Sequence, residues 1–150
     1  MTSPFAGIDH VGYVVTDLDQ ALAFATDVLG FELVRERAGE LADADSDTLI
    51  RRLGVHERAT GTFRFLSAGN GQIEFLVWKS PDQSTEVARN SDHSGRHLAV
   101  KVLDMPAALE AVAAFPGVVI REPNERGYVY VKTPFGLEVQ LIPVTGAAST

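Results

Sequence analysis

A repeat constrains this chain more than anything else in it. Slid forward until His10 falls on His97, the stretch His10–Arg35 lies over His97–Glu122 without a gap. Val15 then meets Val102, Asp17 meets Asp104, Ala21 and Leu22 meet Ala108 and Leu109, and Gly30 meets Gly117. These sparse identities fall where a strand–turn–helix–turn unit needs particular chemistry: a β-branched strand residue, a helix N-cap, small and apolar residues on one helix face, and a glycine to end the helix. A duplicated unit implies two half-sites related by a pseudo-twofold axis, with the matched histidines facing a common centre. The period is far longer than a solenoid repeat, so a pseudo-symmetric α+β domain is expected rather than an array.

The first copy opens with IDHVGYVV, an apolar strand with β-branched residues. Thr16 or Asp17 caps a helix whose Leu18, Ala21, Leu22, Ala25 and Val28 share one face, and Gly30 ends it. FELVRER reads as a second strand. Residues 38–60 form a polar, acidic excursion in which LIRRL makes a short helical turn and Asp45–Asp47 a solvated one. TFRFLSAG and QIEFLVW then make a hairpin turning at Asn70 and Gly71, which completes a βαβββ module over residues 7–78. Residues 79–95 hold almost nothing apolar and form the linker. The second module, residues 96–143, repeats the order: RHLAVKV, the Asp104 cap, Pro106 in the first helical turn, a face of Met105, Ala108, Leu109, Val112 and Phe115, and then VVIRE, YVYVK and LEVQLI. Residues 144–150 are a small, polar tail expected to fray.

Composition narrows the function. The chain has 150 residues, enough to bury a sizeable core, and no apolar run near the ~20 residues of a membrane span. MTSPFAGID has neither a basic start nor an apolar core, so no signal peptide is expected. The chain has no cysteine, which excludes thiolate ligands and disulfides and reads as cytoplasmic. A net charge of -7 disfavours nucleic acid and anionic membranes as partners.

Residues two apart on a strand share a face. His10 therefore looks the same way as Ile8, Gly12 and Val14, and His97 the same way as Ala99 and Lys101. Small neighbours leave room for a metal and a ligand. One histidine is most simply a hydrogen-bonded structural residue, but the same place in both copies points to metal. Glu74 lies among residues that belong in an interior, where a carboxylate is costly unless paired, protonated or bound to a cation. Alternation with Ile73 and Phe75 fits a solvent-facing position equally well. In LEVQLI, Glu138 and Gln140 share a face, and either can offer oxygen. Two imidazoles with oxygen donors suit a divalent transition ion (Ni, Co, Mn, Fe or Zn) better than magnesium or calcium. If Phe63 and Phe65 pack beneath the helices, Arg64 faces the site and holds a substrate carboxylate or phosphate; otherwise it is a rim charge. Tyr128 and Tyr130 are candidates to line the same site, or packing residues, while His56 and His93 fall in loops without repeat partners.

These segments resemble the glyoxalase/bleomycin resistance/dioxygenase (vicinal oxygen chelate) superfamily. GIDHVGYVVTDLDQALAFATDVLGFELV looks like its opening signature, RHLAVKVLDMPAALEAV like its second-module signature, and QIEFLVW and TPFGLEVQLI like its ligand-bearing strands. The resemblance runs from Gly7 to about Pro143. It implies α+β architecture, with two tandem βαβββ modules whose mixed sheet curls into a cup, helices outside. It also implies metal ligands at His10, Glu74, His97 and a final-strand position, usually glutamate, four places beyond a turn glycine. From Gly136 that position is Gln140, a departure: an amide oxygen ligates but cannot act as a base.

The chemistry this implies is a lyase or isomerase of the glyoxalase/epimerase type, moving a proton beside a metal-chelated oxygen of a small oxygenated metabolite. Glu74 is the preferred base and Glu138 the alternative. An extradiol-type dioxygenase is the rival in chemistry, weakened, as is a fosfomycin thiol transferase, by Gln140. A non-catalytic antibiotic-binding protein is the rival in class, disfavoured by the retained His10, Glu74 and His97. Homodimerisation is expected from the resemblance.

Overall fold

The computed structural model describes residues 4–41 and 45–144. The start of the chain (1–3), part of the acidic excursion (42–44) and the end of the expected tail (145–150) lie outside the described residues. The chain divides between Ser84 and Thr85 into two compact units, inside the expected linker.

Unit 1 is built from β1 (His10–Val14), α1 (Leu18–Ala23), β2 (Glu32–Leu41), β3 (Thr60–Ser67) and β4 (Gln72–Lys79). Its sheet has the order β1-β4-β3-β2, with β1 and β4 parallel and the other pairs antiparallel. Unit 2 repeats this with β5 (His97–Val102), α2 (Met105–Ala113), β6 (Val119–Ile120), β7 (Val129–Lys132) and β8 (Glu138–Pro143), in the order β5-β8-β7-β6. Each unit is thus βαβββ with a four-stranded mixed sheet, the α+β architecture that the repeat implied.

The caps explain why both helices begin where they do. Asp17 accepts from the Gln20 amide at 2.9 Å and Asp104 from the Ala107 amide at 3.0 Å, satisfying donors that have no partner inside the helix. Asp17, rather than Thr16, is therefore the cap. α1 runs on as a π-helical turn over Phe24–Val28, and Gly30 follows at φ 70, a left-handed conformation that favours glycine. Helices and strands then bury one face each. Phe24, Leu66 and Phe75 in unit 1, and Val112, Val131, Val139 and Leu141 in unit 2, are essentially inaccessible to solvent. Each such side chain contributes about 1.5–3 kcal/mol relative to exposure.

Three boundaries differ from expectation. β2 continues to Leu41, because a bulge between Val34 and Ala38 lets the strand re-pair with β3 through residues that read as polar loop. β6 keeps only Val119–Ile120 as strand. In the β3–β4 turn, the left-handed residue is Gly69 (φ 72) rather than Asn70 or Gly71, and the Ala68 amide closes the turn on the Gly71 carbonyl at 2.9 Å. LIRRL falls on a π-helical turn over Thr48–Arg52.

Candidate functional site

Unit 1 places His10 and Glu74 together. The parallel register sets Gly12 beside Glu74, and the antiparallel register sets Phe65 on its other side. On β4, Ile73 and Phe75 are buried while Gln72 and Glu74 take the other face, as alternation requires. His10 Nε2 lies 3.5 Å from Glu74 Oε2, and the Glu74 side chain is only 15% exposed. Gly12 makes the approach possible: a Cβ there would sit 3.2 Å from that same Oε2. The His10 ring meets the Phe65 ring edge-on at 4.8 Å.

The other imidazole nitrogen is also engaged. His10 Nδ1 lies 2.6 Å from Asp9 Oδ1, and Arg37 Nη2 donates to the same oxygen at 2.9 Å. These bonds, to His10 first and Arg37 second, hold the Asp9 carboxyl below its usual pKa. Arg37 Nη1 donates to Gln72 Oε1, and the guanidinium lies 4.0 Å over the Phe65 ring.

Unit 2 repeats the geometry with altered chemistry. His97 pairs in register with Glu138, Ala99 with Gln140, and Tyr130 with Gln140 from the far side. Gln140 thus holds the place in unit 2 that Glu74 holds in unit 1, and Glu138 the place of Gln72. The His97 and Tyr130 rings meet edge-on at 5.5 Å, as His10 and Phe65 do. Glu138 Oε1 accepts from Arg121 Nη2 at 2.7 Å, which raises the Arg121 pKa. Glu138 Oε2 is buried without a hydrogen-bond partner among the described residues. The β7–β8 turn that sets this register is stapled by buried Thr133: its hydroxyl donates to the Leu137 carbonyl at 2.7 Å and accepts from the Leu137 amide at 3.1 Å. Gly136 completes the turn at φ 84.

Arg64 requires a correction. Its register partner is Phe75, so it lies on the buried-core face with Leu66, while Phe63 and Phe65 share the face of His10 and Glu74. The phenylalanines belong to the site side, the reverse of the packing that would have aimed Arg64 inward. The Arg64 guanidinium instead turns back to the Phe63 carbonyl at 2.8 Å. The residues that sequence reading missed are Asp9, Arg37, Phe65, Gln72 and Arg121. A signal was available for one pair: QIE and EVQ exchange amide and carboxylate at matched strand positions.

The donor set suits a cation. If Nδ1 carries the ring proton and donates to Asp9, Nε2 is an acceptor that faces a carboxylate oxygen across 3.5 Å with no donor between them. A nitrogen and an oxygen sharing one ion through ~2.1 Å bonds stand roughly 3.0–3.4 Å apart. Among the described residues, no three His, Cys, Asp or Glu side chains form a group that could hold an ion. Each unit on its own supplies one imidazole and one side-chain oxygen at the matched register, and Gln140 is an amide.

The comparisons agree with this architecture. The family model for the Glyoxalase/Bleomycin resistance protein/Dioxygenase superfamily matches residues 7–141, and the chain belongs to that superfamily. A 2-epi-5-epi-valiolone epimerase from an Actinomyces species is 37% identical over 151 residues, covering 94% of this chain and 81% of that protein. A glyoxalase family protein from Bacillus cereus superposes with a TM-score of 0.74 at 18% identity, over 96% of this chain and 97% of that one. The fosfomycin resistance protein FosX from Listeria monocytogenes, solved with Mn(II) and sulfate, superposes at 0.61 with 15% identity, over 94% and 92% of the two chains. Kinship with an epimerase fits an enzyme of the glyoxalase-like isomerase kind. No helix among the described residues is long and apolar enough to cross a membrane.

Proposed function

We propose that this chain is a divalent-metal-dependent epimerase acting on a small oxygenated metabolite, a ketone of the kind named for its Actinomyces relative. His10, Glu74, His97 and Gln140 are the proposed ligands, in a cytoplasmic homodimer. The observation that carries the reading is the His10–Glu74 pair. Its Nε2 and Oε2 atoms stand 3.5 Å apart beside a glycine whose missing Cβ leaves the carboxylate its room. Matched placement of His97 and Gln140 in the second unit supports the other two ligands.

A bound divalent ion would polarise the substrate carbonyl and stabilise negative charge developing on its oxygen. Glu74 then removes the proton from the adjacent carbon: the C–H bond breaks, its electron pair enters the enolate, and the proton passes to the carboxylate. Return of a proton to the opposite face of that carbon inverts the centre. Glu138 is the proposed partner for this step: its Oε2, a buried acceptor, takes up a proton from solvent, hands it to the carbon and ends as the carboxylate again. Phe65 and Tyr130 pack edge-on against the imidazoles and hold their orientation, and Tyr130 contacts substrate. Gln140 donates an oxygen and takes no proton.

The test begins with the metal content of the purified protein. 2-Epi-5-epi-valiolone in deuterated water is then followed by proton NMR with the chain and its native metal. Loss of the proton next to the carbonyl, together with appearance of an epimer, is the expected result. A metal-free chain that binds the ketone without exchanging that proton overturns the proposal.

A further inference from the structure

Unit 1 buttresses its histidine with the residue that precedes it, at a position where the second copy carries the opposite charge. The residue before His10 is Asp9, while the residue before His97 is Arg96, a reversal of charge at matched positions. One oxygen, Asp9 Oδ1, receives both His10 Nδ1 at 2.6 Å and Arg37 Nη2 at 2.9 Å. Arg37 also reaches Gln72, the β4 residue in register with His10, and covers the Phe65 ring that meets the imidazole edge-on. The imidazole is therefore fixed at one nitrogen by a carboxylate and along its edge by an aromatic ring. A single guanidinium ties both to the strand that carries Glu74.

We propose that Asp9 and Arg37 are positioning residues that lock His10 in the tautomer protonated at Nδ1, so that its bare Nε2 points at Glu74 before any ion arrives. This rests on the metal reading above and adds to it the device that orders the first ligand pair. A neutral imidazole in water populates both tautomers. A carboxylate accepting from Nδ1 selects the one whose other nitrogen can ligate, and such outer partners typically change metal affinity by ~10–100-fold. Arg37 acts one step further out, by holding the Asp9 carboxylate in place against Nδ1. It needs two separated donors to bridge Asp9 and Gln72, which lysine cannot supply from one compact ammonium.

The experiment uses the full-length chain, freed of metal at pH 8, with ¹⁵N-labelled histidine. Long-range ¹H–¹⁵N spectra read the tautomer of each of the four histidines, and a His10→Gln variant assigns the His10 signals. Mn(II) affinity is measured separately by calorimetry. The wild-type His10 should show a protonated Nδ1 and a bare Nε2. Asp9→Ala should mix the tautomers and weaken Mn(II) binding by about 10–100-fold. Asp9→Asn, which keeps an acceptor oxygen, should retain the tautomer and much of the affinity. Arg37→Lys should fall between wild type and Asp9→Ala. His97 signals should be unchanged throughout, a control that general loosening of the fold would not pass.

An Asp9→Ala chain with unchanged His10 tautomer and Mn(II) affinity overturns the proposal. So does a wild-type His10 protonated at Nε2. Tight Mn(II) binding by a chain whose His10 tautomer is mixed sinks the lock and upholds the metal. A locked tautomer in a chain that takes up no Mn(II) upholds the lock and sinks the metal reading.

Discussion

The two units share a backbone plan but carry different side chains at its matched positions. On the site face of β4 the pair is Gln72 and Glu74; on β8 it is Glu138 and Gln140. The carboxylate sits at the inner position, beside Gly12, in one unit and at the outer position, across from His97, in the other. An arginine grips the outer residue in both cases, Arg37 on Gln72 and Arg121 on Glu138. Register and backbone survive in both copies because hydrogen bonding and core packing demand them. Side chains on the open face are under no such constraint and can specialise.

The sharpest way to break this comparison is to exchange the inner pair. Glu74→Gln should lower the rate of proton exchange by about 10²–10⁴-fold, because an amide cannot accept the proton. Gln140→Glu should stay within about tenfold of wild type, since oxygen still ligates. Steady-state exchange rates by NMR check both. Equal losses in the two variants would show that the units are interchangeable and the assignment of the base wrong.

A second contrast concerns the outer pair. Glu138→Gln should lower epimer formation by about tenfold or more while exchange of the first proton persists, since only the return step is affected. Gln72→Glu should leave both rates nearly unchanged. Product ratio against deuterium content separates the two steps.

Backbone room gives a smaller effect. Gly12→Ala introduces a Cβ 3.2 Å from Glu74 Oε2, so the carboxylate must give by a few tenths of an ångström, and Mn(II) affinity measured by calorimetry should fall severalfold. Ala99→Gly, at the matched place in unit 2, should leave affinity almost unaltered because Gln140 already tolerates that Cβ. Thr133→Val probes a staple confined to unit 2. Losing its two bonds to Leu137 should cost roughly 1–3 kcal/mol in urea unfolding with the fold retained.

The smallest effect lies in the excursion peculiar to unit 1. Asp45 accepts from the Thr48 amide and hydroxyl, which lowers its pKa. The folded chain then prefers Asp45 ionised, so the stability it contributes is fully present above the ordinary carboxylate value near ~4 and fades as pH falls through the lowered one. Asp45→Asn should lower the unfolding midpoint slightly at neutral pH and flatten its fall on the acid side, the two profiles converging at low pH.

Much of this was legible from residues alone. The duplicated βαβββ order, the aspartate caps, the glycine that ends the first helix, the two histidines and the face-sharing of Glu138 and Gln140 are all local properties of periodicity and of special backbone conformations. Arg64 shows the limit: alternation told that it opposes Phe63 and Phe65 but not which side faces the core, because the more apolar face of β3 is the one turned to His10 and Glu74, while the face with Thr60, Thr62 and Arg64 buries Leu66 in the core. The extension of β2 was hidden for a related reason, since its polar residues are held by main-chain pairing beyond a bulge.

The internal repeat, with strand and helix periodicity inside each copy, by itself determined an α+β domain and a candidate ligand in each copy. Only the tertiary structure decided that Gln140 rather than Glu138 matches Glu74, that Arg64 lies on the core side, and that Asp9 and Arg37 brace His10. The physical reason is distance along the chain. Which strand residues lie side by side depends on register between segments far apart in sequence, and register is decided by bulges, turn staples and buried packing that no local pattern records.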